Sequence, residues 1–160
     1  MRAVLSIGSN MDDRYALLRT VVEEFAGEIV AASSIYSTPP WGVEDQDEFL
    51  NAVVIVDVDS CSPLELLRRG QRLEEAACRR RLRHWGPRTL DVDVVTIYND
   101  DGTQMRSTDP ELTLPHPYAH ERAFVLVPWA EADPEAELLG QKVAQRAAAL
   151  GEIFPVVGSL

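Results

Sequence analysis

The chain has 160 residues, 46% of them apolar, and carries a net charge of −11. That length suits one domain over residues 1–160, and the mixed composition excludes disordered and fibrous classes. The acidity excludes a general nucleic-acid binder, which needs a basic surface, and apolar runs such as "FLNAVVIV" are too short to span a bilayer.

The N-terminus opens directly into a strand, "AVLSIGSN", without a signal-peptide pattern. Cys61 and Cys78 have neither metal-ligand spacing nor a disulfide framework, so the expected compartment is the cytoplasm. Asn10 to Asp13 cap a helix whose apolar residues Leu17, Leu18, Val21, Val22 and Phe25 recur at helical spacing, with Gly27 at its end. "EIVAASSIYST" reads as a second strand stopped by Pro39-Pro40, and "PPWGVEDQDE" as a long loop of functional size. "FLNAVVIVDVD" is a third strand. "SPLE" at 62–65 is a capping box that opens a helix through about Ala77. An arginine-rich loop leads to a fourth strand at about 89–98, then a turn at "NDDGTQ", mixed apolar segments and a last helix near 138–150. The order βαββαβ predicts an α+β, ferredoxin-like core with an antiparallel sheet, helices on the sheet and a C-terminal extension.

Two features carry chemistry. Residues 68–88 hold eight of the fifteen basic side chains (Arg68, Arg69, Arg72, Arg79, Arg80, Arg81, Arg83, Arg88) against Glu74 and Glu75. An arginine patch on an acidic protein points to an anionic ligand such as a polyphosphate, although a solvated basic helix end accounts for the charge equally well. The second feature is a repeated tripeptide, Asp57-Val58-Asp59 and Asp91-Val92-Asp93. In a strand, residues i and i+2 share a face about 7 Å apart. Paired carboxylates resist joint ionisation unless a cation joins them, and Mg²⁺ arriving with nucleotide phosphates fits that need. Asp57 and Asp59 end a strand ahead of a helix cap, where solvated carboxylates are common. Asp91 and Asp93 instead begin a strand directly behind "CRRRLRHWGPRT", so the metal is expected there.

The segment "HWGPRTLDVDVV" at 84–95 resembles one found in the 6-hydroxymethyl-7,8-dihydropterin pyrophosphokinase family. The resemblance extends to "IGSN" at 7–10, "SSIYSTPPWG" at 33–42, "DEFLNAVV" at 47–54, "QRLE" at 71–74 and "LPHPYAHERAFVLVPW" at 114–129. It implies pyrophosphoryl transfer from ATP to the hydroxymethyl oxygen of the dihydropterin, with release of AMP, two Mg²⁺ ions and a place in folate synthesis. It further implies a monomer whose partners are ATP and the pterin, with no nucleic acid or membrane. Asp91 and Asp93 match the family's metal aspartates and, with Arg79 and Arg88, form the implied catalytic set. Gln71, Glu74, Arg79, Arg81, Trp85 and Arg88 match nucleotide-site positions, as do Thr113, His116 and Arg122; residues 79–88 would form a lid. Phe49 and Phe124 match the pair that stacks on the pterin, with Asn51 as polar partner and Thr38, Pro40, Trp41, Trp85 and Asp91 around it. His116 and His120 have the i, i+4 spacing of zinc ligands, but Pro117 between them and the lack of a third ligand speak against zinc. The chain departs from the family at Glu111 and Tyr118, where relatives carry arginine, at Cys78 for glycine and at Leu82 for lysine. These departures bear on ATP affinity.

Two other readings fit the same residues. A two-metal nucleotidyltransferase or cyclase on a similar fold would release pyrophosphate. A ligand-sensing module would bind without turnover, with or without the aspartates.

Overall fold

The run RAVLSIGS forms the central strand β1 (Arg2–Ser9), buried from Ala3 onward, in a computed structural model that describes residues 1–10, 13–39, 48–79 and 90–160. β1 pairs antiparallel on one side with β4 (Phe49–Asp57) and on the other with β5 (Asp91–Tyr98). β4 in turn carries β2 (Ile29–Ala32) and β3 (Ser34–Thr38), and β10 (Val156–Ser159) lies outside β3. Helix α1 (Arg14–Glu24) connects β1 to β2, and α2 (Pro63–Arg79) leads from β4 towards β5. The spatial order β2/β3–β4–β1–β5 is that of a ferredoxin-like core, as expected.

Both helices start where their caps require. Asp13 accepts the Ala16 N–H at 3.0 Å, and the Ser62 hydroxyl accepts the Glu65 N–H at 3.1 Å, with Pro63 first in the helix. They cover one face of the sheet. Leu17, Leu18, Val21, Phe25, Leu66 and Ala77 pack there on Leu5, Ile7, Leu50, Ala52, Val54 and Val92. Helices α3 (Ala123–Ala132) and α4 (Val143–Leu150) cover the other face, with Val125, Leu126 and the fully buried Trp129 over Val4, Val53, Ile55 and Val95. α3 is tied to the sheet by Glu131, whose carboxylate accepts the Ser34 N–H at 2.6 Å and the Ser34 hydroxyl at 2.8 Å.

Several expectations need correction. The second strand breaks at Ser33, whose side-chain oxygen accepts the Val53 N–H at 2.9 Å and replaces a ladder partner. The last helix begins only at Val143, because β8 (Glu137–Leu138) and β9 (Gln141–Lys142) form a hairpin. Its two turn residues, Leu139 and Gly140, both have positive φ (54° and 76°), which suits a two-residue turn between right-twisted strands. The apolar segment at 121–134 contributes α3 despite Pro128, and a second small hairpin pairs β6 (Ser107–Asp109) with β7 (Leu112–Leu114). Among the described residues no helix is long and apolar enough to cross a membrane.

Candidate active site

On the face covered by α3, three neighbouring strands change character along their length. β1 presents Val4, then Ser6 and Gly8; β4 presents Ile55 and Val53, then Asn51 and Phe49; β5 presents Val95, then Asp93 and Asp91. The register aligns these changes. Ser6 lies between Val53 and Asp93, and Gly8 lies between Asn51 and Asp91. The helix covers the apolar ends, and the polar ends open as a cleft of about 530 Å³. Alternation holds from Asp91 to Val95, after which a register shift places Ile97 on the opposite face, against α1 and α2.

Each wall is set locally. Asn51 is only 6% exposed, and its amide donates to the Thr38 hydroxyl at 2.6 Å, joining β4 to β3 at the cleft floor. An ideal Cβ on Gly8 would lie 2.7 Å from Asn51 Oδ1, so only glycine leaves room for this amide without displacing it. Phe49 and Phe124 supply aromatic surface. Arg122 caps the N-terminus of α3, with its guanidinium 5.6 Å from the ring centroids of both Tyr118 and Phe124. A cation there adds to the positive end of the helix dipole, an arrangement that suits an anion in the cleft. His116 sits beside this corner. Its backbone N–H donates to the Val95 carbonyl at 2.7 Å, and its Nδ1 accepts the Tyr118 N–H at 3.2 Å. Burial, reinforced by Arg122 and opposed by Asp93, pushes the imidazole pKa down. The neutral ring therefore carries its proton on Nε2, ready to donate.

The charge balance limits what can enter. The described lining carries Asp91, Asp93 and Glu121 against Arg122 alone. A polyphosphate would be repelled unless cations accompanied it. Among the described residues no cluster of three or more His, Cys, Asp or Glu side chains could hold a metal. Two hard carboxylates facing an open cleft do not make a closed cage, but they fit Mg²⁺, which fills its octahedron with water and phosphate oxygens. The other tripeptide is elsewhere. Asp57 pairs with Arg2, about 20 Å along β1 from Gly8 at about 3.3 Å per residue. β4 also ends at Asp57, so Asp59 does not share a strand face with it, contrary to expectation.

The cleft thus gathers Thr38, Phe49, Asn51, Asp91, Asp93, Arg122 and Phe124. It does not gather Gln71, which accepts from Arg68 at 2.6 Å, nor Thr113, whose hydroxyl donates to the Asp109 carbonyl at 3.0 Å. Glu74 accepts the Val92 N–H at 2.9 Å instead of lining the cleft. Among the described residues, two members of the arginine patch are engaged with carboxylates. Arg69 clamps α2 to the end of α1 through Glu24 (3.0 Å) and Glu28 (2.6 Å), stacked 4.2 Å over Phe25, and Arg68 pairs with Glu111. Pro40, Trp41, Arg81, Trp85, Arg88 and Leu82 lie outside the described residues, as does the side chain of Arg79. Sequence reasoning missed Ser6, Gly8, Pro39 and Glu121, and took Tyr118 as a departure instead of a wall. The alternation Val4-Ser6-Gly8 was the available signal for the first two.

Comparison with known proteins bears on this site. The family model for 7,8-dihydro-6-hydroxymethylpterin-pyrophosphokinase matches residues 4–134. A protein named 2-amino-4-hydroxy-6-hydroxymethyldihydropteridine pyrophosphokinase from Mycobacterium tuberculosis is 50% identical over 141 residues, covering 86% of this chain and 75% of that protein. Proteins of the same name are 44% identical in Methylorubrum extorquens, covering 93% of each chain, and 39% identical in Bacillus subtilis, covering 84% and 80%. Among solved structures, Plasmodium falciparum HPPK-DHPS A437G with SDX-DHP matches with a TM-score of 0.66 at 17% identity, over 92% of this chain and 45% of that one. At that identity the likeness shows the shared fold, and the present chain spans less than half the length of the solved one.

Proposed function

Since this chain belongs to the 7,8-dihydro-6-hydroxymethylpterin-pyrophosphokinase family and is a pyrophosphokinase, we propose that it transfers the pyrophosphoryl group of ATP to 6-hydroxymethyl-7,8-dihydropterin, in folate biosynthesis. The observation that carries this reading is the convergence of Asp91 and Asp93 with Phe49, Phe124 and Asn51 in one cleft. A flat heteroaromatic ring needs apolar faces and a fixed polar edge, and the Phe pair with the Thr38-held Asn51 amide supplies both. Asp91 and Asp93 would hold Mg²⁺, which when bound neutralises triphosphate charge and orients its oxygens.

The chain's own part is positioning. The aromatic walls hold the pterin so that its hydroxymethyl oxygen faces the aspartate pair. Arg122, at the N-terminus of α3, and the Nε2–H of His116 present positive ends to the phosphates at the same corner. The oxygen gives up its proton to solvent and attacks the β-phosphorus, the bond between the β-phosphorus and the α–β bridging oxygen breaks, and AMP departs with that oxygen. Phosphoryl chemistry of this kind asks little covalent work of a protein and much alignment. From the family resemblance, Arg79 at the end of α2 and Arg81, Trp85 and Arg88 are proposed as further contacts to the nucleotide. Free Cys61 and Cys78 are consistent with a reducing cytoplasm, where the enzyme is taken to act as a monomer.

Incubation with ATP, Mg²⁺ and the hydroxymethyl-dihydropterin should yield AMP and pterin diphosphate in equal amounts. Release of pyrophosphate would instead indicate nucleotidyl transfer. Tight ligand binding without any AMP from folded protein would favour a sensing module.

A further inference from the structure

Helix α2 meets β5 at Val92, the residue between the two cleft aspartates, and it does so twice. An ideal Cβ on the buried Gly70 would lie 3.0 Å from Val92 Cγ1 and 3.3 Å from Val92 Cβ, so a larger residue would press β5 away. One helical turn later, on the same face, the Glu74 carboxylate accepts the Val92 N–H at 2.9 Å. Among the described strands, none pairs with β5 on its outer side at Val92, so outward-pointing N–H groups there need another partner. Glu74 supplies a partner for one of them.

The location gives these contacts their meaning. The Val92 nitrogen belongs to the same peptide plane as the Asp91 carbonyl, and the Val92 α-carbon is bonded to the peptide that begins Asp93. Holding the Val92 amide and side chain from the helix side therefore fixes the backbone from which both carboxylates project on the cleft side. A shift of β5 relative to α2 would change the separation and tilt of the pair together.

We propose that Gly70 and Glu74 are positioning residues that set the geometry of the Asp91–Asp93 pair through Val92, and so its affinity for a divalent cation. The proposal rests on the reading of that pair as the magnesium carboxylates.

The test uses Mn²⁺ with α,β-methylene-ATP, an analogue that cannot release AMP, and reads protein-bound Mn²⁺ by water-proton relaxation enhancement. Asp93→Asn should abolish binding, and if it binds like wild type the reading of the pair itself fails. Glu74→Ala should weaken Mn²⁺ about tenfold or more, the scale seen when a partner behind a metal ligand is removed. Glu74→Gln keeps an oxygen acceptor for the Val92 N–H and should recover most of that loss. Wild-type affinity in Glu74→Ala, or a Gln variant as weak as the Ala variant, overturns the inference while leaving the aspartate reading intact. Gly70→Ala provides an independent arm: it should weaken Mn²⁺, and Val92→Ala in the same chain should relieve the loss. In the unaltered protein, the Val92 amide should exchange slowly with solvent. Exchange at the rate of an open edge amide would refute the contact.

Discussion

Replacing Gly8 by alanine tests the cleft floor more sharply than truncating a wall. The backbone tolerates it, since Gly8 is not among the glycines with positive φ. The added methyl would stand 2.7 Å from Asn51 Oδ1 and 3.6 Å from the Leu50 carbonyl. The Leu50 contact is ordinary packing, so the Asn51 side chain must move, and it is buried and held by Thr38 at 2.6 Å. Losing that bond and leaving a buried amide poorly paired costs about 1–3 kcal/mol. If the wild-type amide also meets the pterin edge, the same range appears as a loss of about fivefold to 150-fold in pterin affinity, at about 1.4 kcal/mol per tenfold. Calorimetric titration with the dihydropterin measures it. Because Gly8→Ala and Asn51→Ala act through one group, the double variant should lose much less than the sum of the two. Wild-type pterin affinity in Gly8→Ala, or full additivity with Asn51→Ala, would refute the argument that the glycine exists to seat the amide.

Other predictions follow from the same geometry. Asp93→Asn should lower turnover by at least about 10²-fold, the scale for deleting one charge-stabilising group. Asp57→Asn, at the far end of the sheet, should leave it within about twofold, as surface changes away from a site do; comparable losses would contradict the assignment. Tyr118→Leu removes one of the two rings flanking Arg122, and an exposed cation–π contact of about 0.5–1 kcal/mol predicts a rise of about two- to fivefold in KM for ATP, restored by Tyr118→Phe. An effect confined to kcat would show that the ring does something else. The Arg69 guanidinium holds the Glu28 carboxyl below its ordinary value, chiefly by hydrogen bonding. Such a group stabilises the fold above its unfolded pKa and loses that contribution as pH falls through the lower folded value. Glu28→Gln should therefore lower Tm at pH 7 and lower it progressively less below about pH 4, near the unfolded carboxyl value; an equal loss at both pH values would refute the ion-pair account.

What could be read from the chain depended on the physics of each pattern. Two-residue alternation identified β5 and placed Asp91 and Asp93 on one face, because side-chain direction in a strand is fixed by geometry alone. The same alternation failed at Ser33, where a side-chain oxygen stands in for the ladder; serine alternates like any other small residue, so nothing in its spacing marks the break. Charge density misled at Arg68 and Arg69, since a run of arginines does not disclose which of them meet carboxylates at the end of α1, just beyond it or beside β7. The hairpin at 137–142 was taken for the start of a helix because the turn signal is a single glycine, with Leu139 forced into positive φ beside it. Gly8 was legible as part of the "IGSN" motif but not as a close approach, which depends on the register of β1 against β4. Of the two aspartate pairs, one lines the cleft, and the other is not a pair on any strand face.

On the proposed function, this cleft moves two phosphorus atoms at once from ATP to a pterin hydroxyl. Following the reaction by ³¹P NMR, with Mg²⁺, ATP and 6-hydroxymethyl-7,8-dihydropterin, tests it directly. The β- and γ-resonances of ATP should disappear together and reappear as a coupled diphosphate ester on the pterin, while the α-phosphorus becomes AMP. A pterin monophosphate with ADP, or free pyrophosphate with a nucleotidylated product, would contradict it.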